Sequence, residues 1–327
     1  MQDARRLTQD ATRTTALQLE MEVSNVPDPI ITTSHLTRRF GELTAVDGVD
    51  LRVPQGSVYG FLGPNGAGKT TTIRMLLGLI RPDAGEVALF GLPLRPNRIA
   101  LLRRVGALVE GPSLYPHLTG RENLEVTRRL VDARRAQRER ALHLVHLEDA
   151  ADRLARTYST GMKQRLALAL ALMAGPDLLI LDEPTNGLDP AGIREIRELI
   201  TTMPGEFGIT VFLSSHLLSE VEQVATHIGI IQEGRLRFQG TLDALHAQTA
   251  ERLTLEVDRP RQAECLLRDA GWRVRSNGGD RLSVAVNGRS DVALINAQLV
   301  RGGANVTHLN LAQPTLEDIF LALTEGD

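Results

Sequence analysis

Cysteine is nearly absent. Cys265 is the single one, so no internal disulfide can form, and it stands far from any His or acidic cluster with metal-ligand spacing. That usage fits placement in the reducing cytosol, and the residue reads as a small apolar side chain on a helix. Long apolar runs are missing too. The longest, Leu166 to Ala174, has nine residues, about half of the roughly 18 that a bilayer span needs, so any membrane role is expected to come through a partner. Charge of one sign is nowhere concentrated. The net charge is -3 and acids and bases are interspersed, which leaves no electrostatic footprint for nucleic acid and no basic run for a lipid surface. The polar start, MQDARRLTQDATRTT, has no apolar stretch behind its arginines, so no signal peptide is expected. Lysine is scarce as well: Lys69 and Lys163 stand against 35 arginines. This suggests a coding bias toward arginine, and both lysines fall inside the motifs below.

The length, 327 residues, allows a principal domain and a smaller one. Residues 1–28 lack periodicity and end near Pro27 and Pro29, which predicts a flexible tail. From Ile30 strands follow: Val49, Leu51 and Val53 alternate, Pro54 to Gly56 reads as a turn, and Val58 to Leu62 is a nearly continuous apolar strand of the fully buried kind. Helical segments then alternate with short apolar runs at Val87–Phe90, Val105–Val109, Leu178–Leu181 and Thr210–Ser214, which argues for an α/β fold with a mainly parallel sheet. Thr119-Gly120-Arg121-Glu122 has the form of a capping box. It opens a long Arg-rich helical stretch, Glu122 to His146, inside a helical subdomain at about residues 112–172. The domain so defined spans 29–248. Residues 249–327 change character, and their βαββαβ order predicts a small α+β, ferredoxin-like accessory domain. Its final helix, opened by Pro314 and Thr315, places Leu316, Ile319, Phe320 and Leu323 on one face.

Three motifs carry chemistry. Gly63-Pro64-Asn65-Gly66-Ala67-Gly68-Lys69-Thr70 matches G-x-x-x-x-G-K-[ST] between a predicted buried strand and a predicted helix, the context such a phosphate loop requires. Its glycines let backbone N–H groups close around phosphate oxygens. Lys69 can reach the β and γ phosphates, Thr70 offers a hydroxyl to Mg²⁺, and the helix N-terminus adds partial positive charge. These features predict a P-loop NTPase that binds ATP with Mg²⁺ as cofactor. The second motif, Leu178 to Glu183, is an apolar strand ending in two carboxylates. Alone, such an end is a solvated terminus; beside a phosphate loop it supplies a metal-supporting Asp182 and, in Glu183, a base for the attacking water. The third motif, Tyr158 to Arg165, precedes an Ala- and Leu-rich helix expected to be buried, and Ser159 and the Gly161 backbone at its start can bind an anion.

GPNGAGKTT, YSTGMKQR, LLILDEPTNGLDP and SSH, in this order and spacing, resemble the nucleotide-binding subunit of an ABC transporter over nearly all of residues 30 to 245. The resemblance implies an ABC-type ATPase working as a dimer with a second copy, ATP being held between the phosphate loop of one (Gly63 through Thr70, with Thr71) and Ser159 and Gly161 of the other. It implies that Phe40 stacks on adenine, that Asp189 crosses the dimer interface, and that His216 contacts the γ-phosphate as a catalytic switch. Two positions depart from the family pattern. Thr160 replaces a glycine common in the signature, and Glu110 stands where the γ-phosphate-sensing loop usually carries Gln. An acid there can still bind Mg²⁺, with a different charge balance.

The segment around Glu110 and the ending PTLEDIFLALT are similar to exporter ATPases of the bacitracin and lantibiotic resistance type. From that resemblance follows an ATPase subunit on the cytoplasmic face of the cell membrane, attached through a separately encoded integral membrane permease and driving efflux of a drug, antibiotic or peptide-like cargo. The alternative is a soluble ABC protein acting on ribosomes or DNA. Within the family the former of these implies two cassettes per chain and the latter a long coiled-coil insertion, and neither is present. A P-loop kinase or GTPase leaves the signature, the Asn186–Asp189 segment and His216 without a role.

Overall fold

A computed structural model describes residues 28–247, 251–276, 281–286, 288–312, 315–317 and 319–320. The expected tail, Asp28 apart, lies outside the described residues, as do the Asn277–Asp280 turn, Pro314 and Leu323. The chain divides into two compact units: residues up to His216 together with Val224–Gln239, and Leu217–Gln223 together with residues from Gly240 onward.

The first unit contains two sheets. In the antiparallel one, β1 (Pro29–Phe40) lies between β2 (Leu43–Val49) and β5 (Ala84–Leu89); β3 (Arg52–Pro54) also pairs with β1, and β6 (Leu92–Pro93) extends the edge. The other sheet has the order β11 (Arg235–Thr241), β10 (His227–Gln232), β4 (Val58–Leu62), β9 (Thr210–Ser215), β8 (Leu178–Asp182) and β7 (Val105–Leu108). From β10 to β7 every neighbouring pair is parallel. All five residues of β4 and of β8 are buried, the signature of strands covered on both faces, where an unbroken apolar run replaces alternation. Tyr59 stacks on Phe212 across β4 and β9, with ring centroids 5.5 Å apart and planes 8° from parallel. The same burial pushes the Tyr59 phenol far above its ordinary pKa, because the phenolate would be desolvated. The hydroxyl accordingly stays a donor, to Gln239 Oε1 at 2.9 Å.

Helix α1 (Lys69–Leu76) follows β4, and α2 (Leu94–Leu102) precedes β7. The helical subdomain holds α3 (Gly120–Leu130), α4 (Arg135–Leu144) and α5 (Thr160–Leu172). The Thr119 hydroxyl accepts from Glu122 N while the Glu122 carboxylate accepts from Thr119 N, a reciprocal capping box that satisfies two otherwise orphaned donors. The long helix expected from Glu122 to His146 is instead two helices. Asp132 takes a left-handed φ of 53°, which ends α3, and Gln137 caps the Arg134 backbone to start α4; a local cap here overrides helix propensity. Helix α5 buries Leu166 through Ala169 and Leu172, as its Ala- and Leu-rich composition requires. An 18-residue helix, α6 (Pro190–Phe207), leads into β9.

The second unit contains the short helices α7 (Leu218–Glu222) and α8 (Leu242–Ala247), followed by β12 (Glu251–Val257), α9 (Pro260–Asp269), β13 (Val274–Ser276), β14 (Arg281–Val286), α10 (Arg289–Arg301) and β15 (Val306–Ala312). Its antiparallel sheet has the order β13-β14-β12-β15. In order of appearance that is 2-3-1-4, the ferredoxin-like arrangement that the βαββαβ pattern predicts. Leu253, Leu255, Leu282 and Val284 pack with Ala263, Leu267, Ile295 and Leu299 of the two helices to form its core. Cys265 on α9 is exposed rather than in that core. Leu316 and Ile319, from the expected final helix, are buried. Among the described residues, no helix is long and apolar enough to cross a membrane.

Candidate active site

Parallel strands end together, so the loops after β4, β8 and β9 meet at one edge of the six-stranded sheet. The order β4-β9-β8 puts β9 between the phosphate loop and the paired carboxylates, with Phe61, Ser214 and Asp182 in one row across three strands. Brought together there is an open groove of about 520 Å³, lined among others by Phe40, Pro64 through Gly66, Lys69 to Thr71, Glu183, Asn186 and His216. That volume suits a small-molecule ligand.

The loop's geometry demands its glycines. Gly68 has a φ of 106°, and a Cβ on it would stand 2.4 Å from the Ala45 carbonyl oxygen; a Cβ on Gly63 would stand 2.3 Å from the Ile231 oxygen. Any larger residue at either place would push the backbone away from neighbouring strands. Lys69 is buried to 6% exposure. Its ammonium donates to the Gly63 carbonyl at 2.7 Å and lies 3.3 Å from Glu183 Oε1. These oxygens hold a desolvated cation in place at the floor of the groove, and a phosphate arriving there would meet it preorganised.

Two short chains of side-chain bonds run along the groove. In one, Thr70 Oγ1 donates to Asp182 Oδ2 at 2.9 Å and Ser214 Oγ donates to Asp182 Oδ1 at 2.6 Å. In the other, Lys69 faces one oxygen of Glu183, and His216 Nδ1 lies 2.7 Å from the other, Oε2. An ionised carboxylate only accepts, so the imidazole proton in that bond sits on Nδ1. Glu183 has a φ of 50°, uncommon outside glycine, and its N–H is held by the Ser214 hydroxyl at 3.1 Å. The strained backbone is thus locked from the neighbouring strand. Ser214 is the residue that sequence reading missed. It was in view beside His216, but only the strand register shows that one hydroxyl holds both carboxylate residues. Ala45 and Leu43, which also line the groove, gave no motif signal.

The Thr70 hydroxyl and the Asp182 carboxylate form a pair of hard oxygen donors, the chemistry that suits Mg²⁺. Among the described residues no three His, Cys, Asp or Glu side chains converge as a metal cage. A Mg²⁺ ion asks for no such cage, since it keeps waters and takes further ligands from phosphates.

The remaining expected residues stand at the groove's rim or elsewhere. Phe40 is 46% exposed at the rim, with the Arg38 guanidinium 4.8 Å from its ring centroid. Ser159 caps α5, its hydroxyl accepting from Met162 N at 3.2 Å; both it and Asp189, the cap of α6, are exposed. Neither they nor Gly161 line the groove of their own chain. Glu110, at φ 62° just beyond β7, is paired with Arg74 in the last turn of α1. A second and larger cleft, about 1000 Å³, opens between α2, β7, α3 and α5, where Ile99, Leu130 and Val131 are exposed.

A family model described as "ABC transporter" matches residues 46–186, and one described as "ATP-binding protein DrrA1-3-like, C-terminal domain" matches residues 240–324. The chain is 40% identical to the bacitracin transport ATP-binding protein BcrA of Bacillus licheniformis, across 91% of this chain and 98% of that one. It is 39% identical to the daunorubicin/doxorubicin resistance ATP-binding protein DrrA of Streptomyces peucetius, across 91% and 93% respectively. Among solved structures, the dimeric, post-hydrolysis state of the ATP-binding cassette MJ0796 bound to ADP and Pi matches with a TM-score of 0.57 and 26% identity, over 65% of this chain and 98% of that one.

Proposed function

The chain belongs to the ABC transporter family as an ATP-binding, ATP-hydrolysing subunit, and from that premise we propose that it powers export of a drug, antibiotic or peptide-like compound through a separate membrane permease. The observation that carries the catalytic half of this reading is the bond network at the ends of β4, β8 and β9. Lys69 and the loop amides bind the phosphates of ATP, Phe40 stacks on the base, and Glu183 accepts the proton of the attacking water. His216, bonded to Glu183 Oε2, fixes that carboxylate's rotamer and is placed to turn toward the γ-phosphate. Thr70 and Asp182 would hold Mg²⁺, which would supply charge neutralisation at the phosphate oxygens. Glu110 is paired with Arg74, so an acid in place of Gln would have to leave that ion pair before it could serve as a metal ligand.

One chain offers one such groove, and its own Ser159, Gly161 and Asp189 do not line it. A second copy in head-to-tail arrangement supplies them, completing two composite sites in a homodimer. Attachment to the cytoplasmic face of the membrane comes through the permease, seated in the cleft beside Ile99, Leu130 and Val131 and near the exposed Tyr115. The test uses Glu183→Gln, which keeps ATP binding, loses turnover and so holds the closed dimer. Extracted in detergent with ATP, this variant is expected to bring down a multi-helix membrane protein. Recovery with ribosomes or DNA instead would sink the exporter reading.

A further inference from the structure

The second unit carries a pocket that the nucleotide chemistry does not use. It encloses about 440 Å³ and is lined by Arg252, Arg268, Arg273 and Arg275 with Trp272 and Ser283, and no carboxylate is part of the lining. We propose that this pocket binds a phosphate-bearing polyanion, as presented by a soluble phosphate ester or by a lipid headgroup.

The sheet register builds the site. Arg252 on β12 is paired with Ala285 on β14, and Ala285 N donates to the Arg273 carbonyl at 3.4 Å; one row further, Arg275 is paired with Ser283. Side chains alternate between the faces of a sheet, so Leu253, Leu282 and Val284 enter the core while Arg252, Ser283 and Ala285 share the opposite face. Two small residues on the middle strand are therefore flanked by arginines on both sides. Neighbouring strands lie roughly 4.8 Å apart, so the flanking rows stand about 10 Å from each other, wide enough for a phosphate group between two guanidinium forks. Ser283 adds a neutral donor at the floor.

The charge is unbalanced. Arg268 pairs with Glu264 at 2.7 Å, and further along the same face Arg281 pairs with Glu256 at 2.7 Å. For Arg252, Arg273 and Arg275 no ion pair is formed among the described residues. Cations closer than a Debye length repel one another, and that repulsion is relieved by an anion carrying more than one charge. Planar guanidinium forks from separate elements match phosphate oxygens bidentately, and three of them exceed what a single carboxylate can use. Trp272 is half-buried against the core and its indole N–H donates to Gln298 Oε1 at 2.9 Å. That bond fixes the ring beside the pocket.

Trp272 is also the only tryptophan of the chain, so intrinsic fluorescence reports on this pocket. Titration of the full chain with pyrophosphate, and separately with phosphatidylcholine vesicles containing phosphatidic acid, is expected to give a saturable change with at least one probe. Saturation with pyrophosphate alone assigns a soluble phosphate ester; saturation with the anionic vesicles, and not with phosphatidylcholine alone, assigns a headgroup. Replacing Arg252 and Arg275 together by Ala is expected to weaken the midpoint at least about tenfold while ATP turnover persists. The double Lys variant keeps the charge and loses the forks, and it is expected to fall in between. Pyrophosphate held at the phosphate loop would be unchanged in these variants. No saturable change with either probe, or midpoints equal in wild type and both variants, overturns the proposal.

Discussion

At the ends of β4, β8 and β9 each reactive side chain is tied to another: Thr70 to Asp182, Asp182 to Ser214, Glu183 to both Lys69 and His216. At the starts of α5 and α6 the residues expected to meet the same nucleotide bond only to their own helices. Ser159 caps α5 and Asp189 caps α6, both exposed. The first region is preorganised within one chain, its buried lysine held between the Gly63 carbonyl and the Glu183 carboxylate. The second has spare backbone and hydroxyl donors with nothing of its own chain in reach of the groove. The proposed function makes such a divided site idle in the monomer and active when two surfaces close on ATP.

The largest effect that tests this contrast is complementation in trans. Lys69→Ala removes the phosphate-binding cation and Ser159→Arg obstructs the signature surface, and each homodimer is expected to lose nearly all turnover. Mixed together, the two inactive chains are expected to regain about a quarter of the wild-type rate. Half of randomly paired dimers are hybrids, and each hybrid contains one site with both surfaces intact. Steady-state phosphate release measures the recovery. If the mixture stays as inactive as its components, the groove and signature of one chain act in cis and the contrast drawn above is wrong.

A smaller effect sharpens the preorganised side. Ser214→Ala removes the hydroxyl that holds Asp182 Oδ1 and the Glu183 N–H, so the left-handed backbone at Glu183 keeps only its bond to the Ser214 carbonyl, at 3.2 Å. Loss of a group that orients a metal-supporting carboxylate costs about 10- to 100-fold in activity or metal affinity. We expect kcat to fall within that range and the Mg²⁺ concentration at half-maximal rate to rise, with ATP affinity little changed. Unaltered Mg²⁺ dependence would show that Asp182 is positioned without Ser214.

Much of the groove could be read from residue order. Gly63 to Thr70 has its chemistry written in contiguous residues, and the unbroken apolar runs of Val58–Leu62 and Leu178–Leu181 mark buried parallel strands. The βαββαβ order likewise gave the second unit's topology, because strand and helix periods differ within a few residues. Ser214 was not legible, since its role depends on which strand lies between β4 and β8, a fact of topology rather than spacing. The break at Asp132 was missed because the Arg-rich stretch is helical on both sides and only the local caps interrupt it. The arginine pocket was invisible for a related reason: Arg252 and Arg275 lie on two strands that a third one separates, Arg273 stands just ahead of β13, and arginine is too common in this chain for any single one to stand out.

The smallest expected effect lies on the exposed side of the comparison, in the subdomain that carries Ser159. Its helices are joined at the surface by Glu125, which accepts from Arg128, Arg129 and Arg138 at 2.8 to 2.9 Å. The hydrogen bond from Arg128 first, then that from Arg129, holds the Glu125 carboxyl down from 4.5 to about 2. A carboxylate whose folded pKa is depressed contributes stability that is complete above its unfolded value and disappears as pH falls through the folded one. The contribution of Glu125 should therefore decline from pH 4.5 downward and vanish near about 2. Glu125→Gln removes it at all pH values, so thermal melts of the two proteins should differ by a constant small amount above about pH 5 and converge in acid. Salt should shrink the difference in part, because Arg129 is exposed and screened while Glu125, Arg128 and Arg138 are partly buried. A difference that persists unchanged down to the acid limit would assign it to packing of the Glu125 side chain. Turnover at neutral pH should then follow the melts: a modest loss from a looser support for Ser159, far below that of Ser214→Ala, where the reacting carboxylates themselves are released.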